Sequence, residues 1–327
     1  MPKKIVAARP AVSVIIPAYR ASGDITVALD SVYAQTFPHF EVIVINDGSP
    51  DSAELEAALE PYRSRLRYIV QPNRGAGAAR NTGIRASRAR YLAFLDADDR
   101  WMPDFLSRQL SYLDAHRDCD LVYADALVSG ESPLAGRRFM ETAPSDGDVT
   151  LLSLVEQRCN IVLSTVVARR TAVVDAGLFD ESLRRGQDFE LWLRLAWRGA
   201  ALACQKVVLA ERRVRTDGLS GDAVAEIERA LNVLERFSRA RTLDRPVRTA
   251  LRIRMMSLVD RLEIEQGKLR IIEGNFAAAK YHLSAARERP FKLRMVLLAL
   301  KVAPRAVRAA YVRLRPAAAR LPLATAR

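Results

Sequence analysis

Asp96-Ala97-Asp98-Asp99 sets three carboxylates within four residues. Like charges this close repel, and each disfavours ionisation of the next. A divalent cation relieves that repulsion. Oxygen ligands favour Mg²⁺ or Mn²⁺, and Mg²⁺ commonly joins one or two carboxylates to substrate phosphates. Asp96 and Asp98 have the i, i+2 spacing that sets two strand side chains on one face, at the end of the apolar run 91–95. The plainer reading is a solvated acidic turn that caps a helix over 101–113. Asp47, in Asn46-Asp47-Gly48-Ser49-Pro50-Asp51, is either an Asx turn or an acceptor for a base or sugar. Gly75-Ala76-Gly77-Ala78-Ala79-Arg80 opens a helix after a strand and imitates a dinucleotide fingerprint. Arg80 stands at its third glycine position, and the match follows the third strand instead of the first, which argues against hydride chemistry. Backbone N–H groups at a helix start, with Arg74 and Arg80 beside them, suit a phosphate; a tight turn with surface arginines is the alternative. Asp188 falls in the first turn of a helix, where the dipole stabilises a carboxylate, and capping alone explains it.

These residues need elements to hold them. Four β-branched or apolar runs, at 12–16, 41–45, 68–70 and 91–95, alternate with helical patterns at 24–35, 53–62 and 76–87. Strands without strict alternation, separated by helices, indicate a parallel sheet covered on both faces. Ligands of open α/β sheets sit beyond the carboxyl ends of the strands, where all four runs carry polar, turn-forming residues. Residues 121–124, 162–168 and 206–209 read as further strands, and 130–148 as a polar loop. From Ala223 onward the pattern turns helical, at 223–239, 246–267 and 269–289. The expected boundary is therefore near Gly221, between an α/β catalytic domain (1–221) and a helical region (222–327). Residues 274–279 resemble one tetratricopeptide unit, but one unit cannot bury its own face, so an isolated helical hairpin is expected.

The composition excludes several classes. Half of the 327 residues are hydrophobic and 27% are charged, so the chain is neither disordered nor a disulfide scaffold. Cys119, Cys159 and Cys204 are far apart and form no CxxC, which points to a reducing cytoplasm. Two lysines precede a short apolar run bracketed by Pro10 and Pro17, a basic leader before a strand and not a signal peptide. No uncharged apolar stretch is long enough to span a bilayer. The net charge of +13 invites a nucleic-acid reading, yet residues 289–327 hold ten basic residues and no acidic one. The remainder carries 41 basic and 38 acidic residues.

Five segments in order resemble the family 2 glycosyltransferases, inverting enzymes with the GT-A fold: residues 12–19 (Val-Ser-Val-Ile-Ile-Pro-Ala-Tyr), 41–49, 73–83, 91–101 and 187–194. The resemblance covers roughly residues 11–220. It implies a doubly wound mixed sheet and a hexosyltransferase-type activity. The donor would be a nucleotide-diphosphate sugar, with a UDP-sugar expected, and the acceptor a glycan or lipid-linked hydroxyl. The setting would be cell-surface polysaccharide or glycolipid biosynthesis. By position, Pro17 and Tyr19 would line the nucleotide pocket and Asp47 would hold the base. Arg74 and Arg80 lie where the family contacts the donor. Asp96 would contact ribose or metal-bound water, Asp98 would ligate the metal that bridges the two phosphates, and Asp188 would be the catalytic base. Inverting transfer needs one base for the acceptor proton and charge stabilisation on the departing diphosphate, which Mg²⁺ or Mn²⁺ supplies. Arg20 stands where Asn is usual, Gln187 where Glu is usual, and Arg215 where a His is often found.

Two rival readings remain. A non-catalytic scaffold could keep the GT-A fold, although Asp98 and Asp188 are intact. Nucleotidyl transfer would want a basic, Gly-rich loop after the first strand, and Pro17-Ala18-Tyr19-Arg20 is not one. The tail beyond 289 mixes apolar and basic residues, with Pro304 as a break. It reads as a segment for an anionic membrane surface, or as a helix packed on the protein. Nucleic acid is disfavoured for want of interleaved aromatics. The expected location is cytoplasmic, peripheral on the membrane face.

Overall fold

Strand and helix alternate through the first part of the chain in the computed structural model, which describes residues 9–214, 223–288 and 290–314. The elements are β1 (Val12–Ala18), α1 (Ile25–Tyr33), β2 (Phe40–Asp47), α2 (Ser52–Leu59), β3 (Leu66–Gln71), α3 (Ala76–Ala86) and β4 (Tyr91–Phe94). β-Branched residues dominate β1 and β2, which suits a fully buried pleated surface. α1 buries Ile25, Ala28, Leu29 and Val32, the i, i+3, i+4, i+7 stripe of a helix lying on a sheet. After β4 come β5 (Arg100–Trp101), α4 (Phe105–Ala115), β6 (Cys119–Gly130), α5 (Leu151–Val155), β7 (Val167–Arg169), α6 (Arg170–Asp175), α7 (Gln187–Trp197) and β8 (Ala201–Val214).

The eight strands form one sheet in the order β3-β2-β1-β4-β7-β6-β8-β5. β3, β2, β1 and β4 are parallel, while β7 is antiparallel to β4 and β6, and β5 to β8. This is the expected mixed GT-A sheet. Val14, Ile16, Val44, Leu29 and Phe105 belong to the apolar core around it.

β1 was expected to stop at Pro17, but the strand runs through it. The Ile15 carbonyl accepts from Leu95 N at 3.2 Å, so Ile15 faces β4. Pro17, two residues on, turns to the same side, past the last β1–β4 pair at Ile15 and Phe94. Its missing N–H therefore leaves no ladder bond unmade. A second difference lies after β4. Asp99 N donates to Asp96 O at 3.0 Å, so Asp96–Asp99 is a turn and strand alternation does not set its side chains. The following helix begins at Phe105, behind Asp104, and not at 101. Of the expected strand at 162–168, only Val167–Arg169 pairs, after a 3₁₀ turn over Leu163–Thr165.

The chain divides into two compact units, 1–213 and 214–327. The expected boundary at Gly221 lies outside the described residues. The second unit is helical: α8 (Ala223–Arg239), α9 (Arg245–Glu273), α10 (Phe276–Ala285), α11 (Phe291–Val302) and α12 (Pro304–Leu314). α9 passes through Gly267, where a helix end was expected. A Cβ on Gly267 would lie 2.5 Å from the Leu283 side chain, so this glycine serves close packing of α9 on α10. The true stop is Gly274, whose φ of +84° is the left-handed helix cap. Asn275 then caps α10, accepting from Ala278 N at 3.1 Å.

Gly83 plays the same close-packing part in the first unit. A Cβ there would stand 2.6 Å from Ile15 Cγ2 and 2.9 Å from Ile45 Cδ1. Gly83→Ala gains about 1 kcal/mol of helix propensity. It meets a core that resists overpacking by about 1–3 kcal/mol. The substitution is expected to lower the urea midpoint of the first unit's unfolding; a raised midpoint would contradict this packing.

Candidate active site

The carboxyl ends of β1, β2, β3 and β4 open on one edge of the sheet, and four loops meet there. In the loop after β2, Asn46 closes the turn from its side chain, accepting from Ser49 N, three residues on, at 2.8 Å. Asp47 does something else. Its Oδ1 accepts from Gln71 Nε2 at 2.7 Å and from Arg74 N at 3.0 Å, and its Oδ2 from Gly75 N at 2.7 Å. The residue is 3% exposed. An ionised carboxylate has about four acceptor sites, so most are taken by the loop between β3 and α3. Asp47 thus holds that loop, and Gly75, with φ +91°, opens α3 from it. Gly48 lets the two loops touch, because a Cβ would lie 2.6 Å from Asn73 N.

The same loop after β2 also holds the end of β1. Arg20, at φ +53°, donates its N–H to Ser49 Oγ at 2.6 Å, and Ser22 N donates to Asp51 at 3.0 Å. Pro17 is half-buried, and Tyr19 is exposed with the Arg20 guanidinium 5.6 Å from its ring. Both therefore lie at the mouth formed by β1 and β2. Ser49 and Asp51 were not singled out from the sequence, where N-D-G-S-P-D reads as a single turn.

On α3, Arg80 is buried and donates through Nη2 to Asp96 Oδ1 at 2.6 Å. Asp96 remains 39% exposed at its side chain. Asp98 is half-buried, and Asp99 is buried. Burial raises the Asp99 carboxyl well above the ordinary range, with the charges of Asp96 and Asp98 adding to it. Ser164 Oγ at 2.5 Å and Arg213 N at 2.8 Å oppose that rise. Ser164 also accepts from Asp96 N at 3.1 Å, so it pins both ends of the turn. Nothing near the turn in sequence announces Ser164, which arrives from the segment before β7.

Asp188 stands in the first turn of α7, whose preceding Gly186 is left-handed at φ +75°. It is half-buried and has no hydrogen-bond or ion-pair partner among the described residues. α7 reaches α3 directly, since a Cβ on Gly77 would lie 3.3 Å from Gln187 Cγ. Asn81 fixes the approach, exchanging bonds of 2.9 Å with both backbone groups of Phe179. Asn81 and Arg85 also bond Glu181, and Arg74 pairs with it; together they hold its carboxyl below the usual range against partial burial. Arg194, 12% exposed at its side chain, ties α7 to Leu178 O at 2.7 Å and pairs with Glu190 within the helix. Arg80, Asp96 and Gln187 are thus gathered around α3, with Asp188 beside Gln187. Arg74 points to Glu181 instead. Arg80 Nε and Gln187 Oε1 are buried and lack a protein partner, and native proteins normally satisfy such atoms.

A divalent cation fits this donor set in part. The hard carboxylate oxygens of Asp96 and Asp98 suit Mg²⁺ or Mn²⁺. Among the described residues no three acidic, His or Cys side chains form a complete cage, so phosphate and water oxygens would have to supply the rest. Arg215 lies outside the described residues. One prediction comes from Asp47. Asp47→Asn turns one acceptor into a donor facing Gly75 N–H, leaving a buried clash worth about 1–3 kcal/mol. Amide exchange across residues 73–75 is expected to rise sharply by mass spectrometry; unchanged exchange would mean that Asp47 does not hold the loop.

The profile of the Glycosyl transferase family 2 matches residues 13–160. Among curated relatives, an uncharacterized glycosyltransferase of Rickettsia bellii is 30% identical over 217 residues, covering 64% of this chain and 30% of that protein. The chain therefore spans under a third of that relative. An Escherichia coli UDP-Glc:α-D-GlcNAc-diphosphoundecaprenol β-1,3-glucosyltransferase, WfgD, is 28% identical, covering 69% of this chain and 86% of its own. A mannosyltransferase of Pyrobaculum calidifontis, solved with GDP-Man and Mn²⁺, superposes at a TM-score of 0.62 and 18% identity, covering 94% of this chain and 86% of that one. The profile match takes in the Asp47 clamp, α3 and the Asp96–Asp99 turn, while Asp188 lies beyond it. Residues 13–160 are thus similar to the family 2 glycosyltransferases, and the chain shares the GT-A fold of the P. calidifontis enzyme.

Proposed function

We propose that this protein is an inverting glycosyltransferase that moves a sugar from a nucleotide-diphosphate sugar to an acceptor hydroxyl. The observation that carries the reading is the junction at α3. There a buried Arg80 meets the acidic turn, and Gly77 admits the N-terminus of α7 beside Asp188. Asp188, half-buried and without a protein partner among the described residues, is a base available to a ligand. It takes the acceptor hydroxyl proton as that oxygen bonds to the anomeric carbon. The bond from the anomeric carbon to the diphosphate breaks on the opposite face, and the nucleoside diphosphate leaves. Arg80 holds Asp96 toward the donor, while Pro17, Tyr19 and the loop ordered by Asp47 frame the nucleotide. Arg74, fixed by Glu181, flanks the donor loop. A cation held by Asp98, with Asp96, would stabilise charge on the leaving diphosphate. A UDP-sugar is the proposed donor, supported by the named donor of WfgD; the P. calidifontis neighbour carries GDP-Man instead. The acceptor is proposed to be lipid-linked, within cell-surface polysaccharide or glycolipid synthesis, again by analogy with WfgD.

The proposed setting is an anionic membrane face. No helix among the described residues is long and apolar enough to cross a membrane. α11 nevertheless exposes Phe291, Met295, Leu298 and Val302, an i, i+4, i+7, i+11 stripe, while Leu293 and Leu300 pack inward. Lys292, Arg294 and Lys301 accompany the stripe, and α11 has no acidic residue. Apolar burial plus about 1 kcal/mol per basic residue near an anionic surface favours a helix lying in the interface.

Two outcomes are expected. Purified protein with Mg²⁺ or Mn²⁺ should release nucleoside diphosphate from at least one of the UDP-, GDP- and dTDP-sugars. Asp188→Asn should lower turnover about 10²–10⁴-fold with donor binding intact, and Asp98→Asn should weaken metal-dependent donor binding; folded wild-type protein that turns over no donor would sink the reading. Separately, Leu298→Asp should reduce sedimentation with vesicles of phosphatidylglycerol and phosphatidylcholine. Equal sedimentation of both proteins would remove the membrane role of α11.

A further inference from the structure

We propose that a cavity in the helical unit binds the phosphate headgroup of an anionic phospholipid. The cavity, of about 750 Å³, is lined by Arg241, Arg245, Arg248, Arg252 and Arg287. Its size falls in the range of ligand pockets, about 300–1,000 Å³. The α9 sequence builds most of it. Arg245, Arg248 and Arg252 recur at i, i+3 and i+7, and Met256 and Val259 continue the same face. One face of one helix therefore passes from basic to apolar. Leu243 and Leu251 are buried at the cavity's base, while Met256 and Val259 are exposed at its rim.

Four of these five arginines are unpaired among the described residues. No acidic residue lines the cavity. The nearby carboxylates serve backbone instead: Asp244 accepts from Val247 N at 3.1 Å, and Asp260 from Arg287 N at 3.0 Å. Arg245, Arg248, Arg252 and Arg287 make no side-chain hydrogen bond or ion pair among the described residues. Further along α9 the arrangement is opposite, with Lys268 paired to Glu265 and Arg270 to Glu273. An ordinary solvated helix face resembles that second half. The first half sets Arg245, Arg248 and Arg252 over an apolar base, none of them paired among the described residues.

The chemistry selects the ligand. Guanidinium forks bind phosphate oxygens bidentately, which calls for a phosphate-bearing anion. Met255, Met256, Val259 and Leu243 call for carbon attached to it, and methionine adapts to irregular chains. A base would need an aromatic platform, and none lines the cavity. The inference deepens the membrane reading given for α11, and it concerns different residues, so the two can fail separately.

The test uses the full chain and dihexanoyl phosphatidylglycerol, kept monomeric below its micelle concentration, in isothermal titration. Wild-type protein should bind it. Arg248→Gln with Arg252→Gln should weaken binding about ten-fold or more at an unchanged melting temperature. Met256→Glu, placing a carboxylate at the rim, should weaken it as well, whereas Leu298→Asp on α11 should not. The proposal is overturned if wild type does not bind, or if the double variant binds as well as wild type. It is also overturned if pyrophosphate, farnesyl diphosphate or a short oligothymidylate binds more tightly than the phospholipid. Vesicle binding that persists without short-chain binding would leave α11 in place and remove this site.

Discussion

The close seating of α3 is the constraint from which the candidate site follows. Gly83 brings the helix against Ile15 and Ile45 of the sheet, and Gly77 brings Gln187 of α7 against the helix. Six residues of helix separate the two glycines, which is about 240° of rotation beyond a full turn, so they open different faces. α3 is thereby clasped from two sides. Ala78, Ala79, Arg80 and Asn81 are buried between these contacts. Interiors packed at crystal-like density transmit a displacement instead of absorbing it. Moving α3 outward would withdraw Arg80 from Asp96 and Gln187 from Gly77 in one step. The acid at the end of β4 and the acid at the start of α7 therefore share one support.

That geometry gives Asp96 and Asp99, three residues apart, different work. Asp99 is removed from water and held by Ser164 and the Arg213 amide. Asp96 is paired with Arg80. Stripping the partner from a buried charge costs about 3–5 kcal/mol. Asp96 is partly exposed, so solvent screens some of that cost, but Arg80 is not exposed and bears most of it. The pair is thus better understood as fixing Arg80 within α3 than as adding stability. Asp47 follows the same logic in the neighbouring loop: a buried carboxylate satisfied by backbone N–H groups gives an irregular segment one conformation.

The sheet, its helices and the strand-end acids were legible because period and chain order encode them. α1 shows its helical stripe, and β1 and β2 their β-branched runs. What escaped depends on partners distant in sequence. Pro17 reads as a stop until the sheet shows that β4 has already ended beside it. Gly267 reads as a helix end until Leu283 fills the space where a side chain would go. Asp96 and Asp98 read as strand neighbours, whereas a turn bonded to Ser164 sets them. Asp47 reads as the Asx residue, yet its carboxylate is drawn to the loop after β3, and Asn46 is the side chain that closes the turn. The sequence places Arg74 beside the start of α3, and the Glu181 with which it pairs lies far downstream.

Charge tells the two units apart more clearly than composition does. In the first unit Arg80 is matched by Asp96, Arg194 by Glu190 and the buried Asp125 by Arg138, while the buried Arg169 donates to the carbonyls of Cys119 and Leu113. Such pairs give little net stability, because desolvation offsets attraction, and they serve mainly to fix geometry. In the second unit α11 and α12 carry basic residues and no acidic one, and Arg245, Arg248 and Arg252 of α9 are unpaired among the described residues. Unmatched charge on a folded surface raises its self-repulsion, and an anionic partner relieves it. The net charge of +13 thus describes two different designs. One part uses its charge to position a site, and the other gathers arginines on one face of α9.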